Sequence, residues 1–425
     1  MRIAALAAAW LASRAWLLWL LHGSQAWVTG DVLYFFQSLW AMSDRGLSQT
    51  LVEYPVPAVG ALGVPWWVAE SLGDVRQYQN LLFAAALATD LAFTVLLYVV
   101  ARGPVRWLPP ATWIAAVLLL GSTTLARFDL LPGILCGLAV LVVNRWPAAS
   151  GVLAAVATGI KLWPGLIVPA LLGHARSWHR VLAAGAATGA ALVAISWVLG
   201  GWDRLVSPLA YQVDRGLQVE SVLATPAVVA WWLVPDTWEV AYQSSKSFEV
   251  SGPAVPALLT VSAVASVLYL AGLGFLWWQL GDLVRRGRRI DTATTVWLVL
   301  ASVSGFVVVG KVLSPQYLLW LAPTAAAGLA IADSSRLRSW TGWLLVAAGL
   351  TQVVFPWHYG ALTTGHGDVA LTVLSLAARN LLLAWLFAVA TAAAWRGIRA
   401  AQRGSALDRQ PSGLPGERYD ERTAR

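Results

Sequence analysis

The stretch LLFAAALATDLAFTVLLYVV, residues 81–100, decides the fold. It carries one charged side chain, Asp90, and a helix of about twenty residues crosses the ~30 Å hydrocarbon core of a bilayer. A second block, Val255 to Leu276, has a similar length and no charge. Over the whole chain charged residues are 12% against 58% hydrophobic, and mean hydropathy is +0.66. A water-soluble domain carries about a quarter charged residues, so lipid rather than water is the main solvent.

Outward from these two blocks, apolar runs predict helices over 3–21, 79–101, 108–125, 130–144, 147–160, 163–173, 180–199, 254–279, 293–309, 316–332, 340–355 and 369–395. The expected fold is an all-α polytopic bundle of about twelve transmembrane helices, over residues 1–400. The polar segment 401–425 reads as a disordered cytoplasmic tail. Ile3 to Leu21 is followed by His22 and Gln25 without an A-x-A cleavage pattern, so it reads as a retained first helix. Trp107, Trp163, Trp178, Trp202, Trp340, Trp357 and Trp395 stand where apolar blocks end, the expected place for indoles at headgroup level. The single Cys136 lies inside an apolar block and excludes an intrachain disulfide.

A net charge of +8 invites a nucleic-acid reading, but topology sorts the basic residues first. With the N-terminus inside, nineteen of the 29 Lys and Arg are expected to be cytoplasmic, including Arg285, Arg286, Arg288, Arg289 and the seven Arg that follow the last helix after residue 395. Both termini are therefore expected in the cytoplasm of a cell with this chain in its plasma membrane, and no nucleic-acid partner is expected. Acidic residues lie mostly outside, and so do all three lysines, Lys161, Lys246 and Lys311. Chemistry is expected on the outer face.

Two outer loops, His22 to Tyr78 and Gly200 to Gly252, are long enough to carry structure. Val32 to Met42 and Val64 to Val68 are too apolar for disorder and too short to span, which predicts helices lying on the membrane surface. Two roles are open to Asp31: a cap for the helix starting at Val32, or a carboxylate whose partial desolvation makes it a base. Arg127-Phe128-Asp129 and Lys161-Leu162-Trp163-Pro164 offer either an Arg127–Asp129 pair with Lys161 reaching headgroups, or cations for a phosphate. Lys311, before Ser314-Pro315-Gln316-Tyr317, has the same two readings. Asp214, Arg215 and Glu220 form either a solvated polar loop or a set that binds sugar hydroxyls. His358 and His366 lack the spacing and carboxylate company of a zinc site, so neither a metal nor another cofactor is expected. Arg14, Asp90 and Arg379 fall within helices, where Asp90 is expected to pair with one of the arginines.

In order along the chain, Gly30-Asp31-Val32 with Tyr34, Glu53-Tyr54-Pro55, Arg127-x-Asp129, Lys161-x-x-Pro164, Asp214-Arg215-Gly216-Leu217-Gln218-x-Glu220-Ser221 and Lys311-x-x-Ser314-Pro315-Gln316-Tyr317 resemble glycosyltransferase family 87. The resemblance runs from about residue 25 to 360, with Val56-Pro57 after Pro55 where a double proline is common. It implies a GT-C-type bundle, best known from polyprenol-phosphate-mannose-dependent mannosyltransferases of actinobacterial envelope assembly. It further implies an inverting transfer from a polyprenyl monophosphate donor to a glycolipid or polysaccharide acceptor, among membrane lipids, with Asp31 as base. Lys161, Arg127 and Lys311 are then expected to hold the phosphate. Tyr34, Glu53, Tyr54, Asp129, Arg215, Glu220, Tyr317 and His358 are expected to bind donor or acceptor. A lipid-linked sugar translocator would share the bundle and the outer cations without needing a base, and a catalytically inactive envelope-assembly scaffold would need neither.

Overall fold

The computed structural model describes residues 2–70, 74–213 and 215–407. Asp214 and the tail from 408 onward lie outside the described residues. The chain is almost wholly helical: α1 (Arg2–His22), α2 (Gly30–Trp40), α3 (Val56–Glu70), α4 (Val75–Val100), α5 (Leu108–Leu120), α6 (Leu130–Val142), α7 (Pro147–Ile160), α8 (Val168–His174) and α9 (Trp178–Val213) come first. After them come α10 (Thr225–Leu233), α11 (Val255–Arg285), α12 (Thr292–Val309), α13 (Ala322–Ile331), α14 (Ser335–Gln352), α15 (Tyr359–Thr364) and α16 (Val369–Leu407). Between α10 and α11 sits an antiparallel hairpin, β1 (Glu239–Tyr242) and β2 (Phe248–Ser251), with Val240 opposite Val250.

Among the described residues, six helices are long and apolar enough to cross a bilayer, by length and composition: α1, α4, α9, α11, α12 and α16; a count of about twelve is not confirmed. The others meet the expected runs but stop early. α5, α6 and α7 have 13, 13 and 14 residues, so each covers about 20 Å, two thirds of the hydrocarbon thickness. The physical cause is legible at their ends. α5 stops at Gly121, whose φ of 71° no β-branched residue adopts readily, and a Cβ there would strike the Gln352 side chain. α6 begins only after Asp129, and α7 ends at Lys161. At the other end of the chain, α16 continues to Leu407, past the tail boundary expected at residue 401.

Packing separates core from lipid-facing staves. α12 is mostly buried, against α16 and α13, whereas α9 and α11 expose Val193, Ile195, Val198, Val264, Val267 and Leu268. Such contiguous apolar exposure is what lipid tolerates and water does not. α7 and α9 approach closely because Gly151 faces Gly185 and the Val181 carbonyl, so a side chain there would meet backbone. Gly151→Leu is expected to separate the two helices and lower the yield of folded protein severalfold, read by size-exclusion profile in detergent.

Asp90 is fully buried and takes two hydrogen bonds from Arg14, Nε to Oδ2 at 2.9 Å and an NH group to Oδ1 at 2.8 Å. The indoles of Trp10 and Trp113 donate to the same carboxylate at 2.6 and 2.7 Å. Arg379 instead finds Glu220, at 2.8 Å. Trp163 and Trp340 are also core residues rather than belt residues: Trp163 stacks on Trp320, and the Trp340 indole donates to the Leu386 carbonyl. Trp202 and Trp357 are exposed.

Candidate active site

The loop 127–129 joins two ion pairs. Asp31, in the first turn of α2, meets the guanidinium of Arg127, and Asp129 accepts from the Lys161 ammonium at 2.5 Å. The expected Arg127–Asp129 pair is therefore replaced by a crossed arrangement. Arg127 is extended (φ −122°, ψ 138°) while Asp129 already has helical angles, and Asp129 stays within charge–charge reach of Arg127 while its direct partner is Lys161. Nor does Asp31 cap a helix beginning at Val32. The helix starts one turn-step earlier, at Gly30, with no side-chain cap bond, and Asp31 lies inside the first turn, where the helix dipole favours its charge.

The two pairs differ in environment. Asp31 is 40% exposed and Arg127 14%, and the Arg127 Nε is buried with no hydrogen-bond partner. Burial pushes Arg127 down to about 10, with Asp129 opposing the shift, so it stays a cation at neutral pH. Asp129 is almost fully buried and also accepts from the Trp320 indole at 2.7 Å. Lys161 lies over the rings of Phe128, Tyr317 and Trp320, at 5.3, 5.6 and 5.1 Å. An ammonium held by a carboxylate and aromatic faces is fixed in place yet retains donors for an anion.

Around this core the expected residues gather unequally. Tyr54 is buried edge-on to Phe128 and Phe35, and Tyr317 stacks on Trp320. Burial raises both phenols, Tyr317 to about 12, so they are neutral hydrogen-bond donors. Tyr34 donates to Glu53 at 2.6 Å. Arg215 is within charge–charge reach of Tyr317 and Tyr211, and its Nε is buried without a hydrogen-bond partner. Lys311 is half-buried in the turn after α12, where its carbonyl accepts from the Gln218 amide at 3.0 Å. Glu220 is different. It is 1% exposed and consumed by Arg379, whose second NH group and Asn380 also hold the Glu220 carbonyl, so it ties the loop to α16 rather than facing a ligand. Burial raises the Glu220 carboxyl and Arg379 opposes the shift. His358 turns back to the Val353 carbonyl at 3.0 Å and lies 3.9 Å from Asp368.

Five contributors were not foreseen. Tyr359 and Tyr242 lie within charge–charge reach of Arg127, and Lys246, at the turn of the β hairpin, bonds the Tyr34 hydroxyl. Arg204, just past the non-helical Gly201 of α9, donates to the Leu47, Thr50 and Leu51 carbonyls, and Ser207 donates to Val52, which fixes the loop that leads to Glu53. For Lys246 a signal existed: it is one of only three lysines in the chain.

One apolar groove adjoins the charges. It encloses about 390 Å³ between α3, α7 and α9, lined by Val56, Ala155, Gly159, Gly189, Leu192 and Pro208 among others. Its lining includes Pro55 and Leu162, the chain neighbours of Tyr54 and Lys161. No curated protein and no solved structure matches the chain. The model of glycosyltransferase family 87 matches residues 54–302, more than half of it. The crossed ion pairs thus belong to a membrane-embedded sugar-transferring scaffold, and the chain is a member of glycosyltransferase family 87.

Proposed function

We propose that this glycosyltransferase moves a sugar, with mannose as the first candidate, from a polyprenyl monophosphate to a lipid-linked or glycolipid acceptor. In this reading the reaction takes place at the extracytoplasmic face of the plasma membrane, with both termini cytoplasmic, as the charge asymmetry of the segments favours. The observation that carries the proposal is a lipid-sized apolar groove whose wall includes Pro55 and Leu162, the chain neighbours of Tyr54 and of Lys161, together with the ion pairs Lys161–Asp129 and Arg127–Asp31.

The chemistry follows from those groups. The prenyl chain lies in the groove, and its phosphate takes the donors of Lys161 and the unpaired face of Arg127. Arg127 then shares its charge with the phosphate, and Asp31 is released to accept a proton. The acceptor oxygen forms its bond to the anomeric carbon as the anomeric C–O bond to phosphate breaks, with inversion. The bonding pair leaves on the phosphate, where the cations stabilise it, and the acceptor proton goes to Asp31. Arg215 and Lys311 supplement the phosphate site.

The test is conversion of radiolabelled polyprenyl-phosphate-mannose by purified protein in vesicles, with glucosyl and arabinosyl donors in parallel. A glycosidic product from one donor is expected, and movement of intact lipid across the vesicle without product would replace the proposal by a translocator. The groove has its own test. Gly189 lines the groove and has open space where a Cβ would stand, so Gly189→Trp places bulk in the groove with no clash at its Cβ. The ratio of kcat/KM for a long-chain donor over a two-isoprene donor is expected to fall about tenfold, the cost of about 1.4 kcal/mol of lost apolar contact.

A further inference from the structure

Glu53 is nine-tenths buried, and its two carboxylate oxygens are treated differently. Oε1 accepts the Tyr34 phenol at 2.6 Å and lies 3.6 Å from the Lys246 ammonium, which also sits 3.8 Å from the centre of the Tyr34 ring. Oε2 is buried with no hydrogen-bond partner. A buried carboxylate oxygen left without a donor is costly, and native structures rarely keep one without a reason. The loop is not free to turn it toward solvent, because Arg204 and Ser207 hold the four carbonyls that precede it. Tyr34 lies three residues after Asp31 on α2, so the residue that orients Glu53 and the proposed base share one face of that helix.

A carboxylate only accepts, so whatever completes Oε2 must donate. Lys246 already supplies the positive charge on the Oε1 side, which leaves a neutral donor as the better match. We propose that Glu53, oriented by Tyr34 and Lys246, accepts a hydroxyl of one of the two reacting sugars and makes the enzyme selective for the sugar that carries it. The proposal rests on the transfer reaction above for its substrate.

The experiment compares wild type, Glu53→Gln and Glu53→Ala on donors and acceptors that each lack one ring hydroxyl. Wild type is expected to reject one deoxy analogue by about 10²-fold or more in kcat/KM. Glu53→Ala is expected to lose about 10²-fold on the parent substrate and to treat that analogue and the parent alike. Glu53→Gln, which keeps the shape and can still accept the phenol, is expected to fall between, since the charged acceptor makes the stronger bond. Whether the decisive hydroxyl is on the donor or the acceptor is read from which series shows the effect. A Glu53→Ala enzyme that transfers sugar with every wild-type hydroxyl preference intact would overturn the subsite. Saturation-transfer NMR with methyl glycosides and their deoxy forms separates this from the reaction itself. Hydroxyl-dependent binding that Glu53→Ala abolishes, in a protein that forms no product, keeps the subsite and discards the transfer. Binding unaffected by Glu53→Ala discards the subsite.

Discussion

Asp31→Asn lowers kcat for sugar transfer by about 10³-fold, the contribution of a well-placed general base, while donor KM stays level or falls. The side chain keeps its size, so the first turn of α2 is preserved, but an amide takes no proton from the acceptor hydroxyl. The sign of the KM change is the informative part. Arg127 loses its carboxylate partner and has more charge to offer a phosphate. A variant that merely disturbed the fold would weaken donor binding as well. Turnover within a few-fold of wild type would remove Asp31 from the mechanism and transfer the search to Asp129 and Glu53. Asp31→Glu is expected to recover part of the rate.

The largest effect on stability is expected at Asp90. Asp90→Ala strands the Arg14 guanidinium in the interior and deprives the Trp10 and Trp113 indoles of their acceptor. Removing one partner of a buried pair costs about 3–5 kcal/mol, most of it from the unpaired charge that remains. Thermal unfolding in detergent reads this as a large fall in Tm, or as loss of folded protein. The double change Arg14→Met with Asp90→Leu removes the charge along with its partner and is expected to recover most of the loss. A single variant that melts with wild type would mean that water or lipid headgroups reach Arg14.

Hydropathy alone was enough to recognise a helical membrane protein, because a run such as 81–100 has one physical solution in lipid. It could not distinguish a full span from α5, α6 or α7, since composition is the same in a helix that crosses and one that stops at Gly121, Asp129 or Lys161. The site residues were legible as a set, but their pairings were not. Asp31 with Arg127 and Lys161 with Asp129 are contacts between distant segments, and the nearest partner in sequence, Arg127 with Asp129, was not the direct one. Glu220 looked like a sugar ligand because its loop is polar; the deciding fact, Arg379 opposite it, lies 159 residues away. Lys246 was hidden in a segment whose hairpin has little period-two signal, four residues per strand.

Arg204 and Ser207 have a mechanical meaning. They stand beyond the break at Gly201, on the outer arm of α9, whose Leu205 and Pro208 wall the groove, while the inner arm supplies Leu182 to Ser196 to the same wall. The outer arm cannot swing about Gly201 without dragging the carbonyls of Leu47, Thr50, Leu51 and Val52, and with them the residue that follows, Glu53. Groove width and carboxylate position therefore share one degree of freedom. A lever of this kind makes the fit of the lipid tail and the fit of the sugar a single measurement.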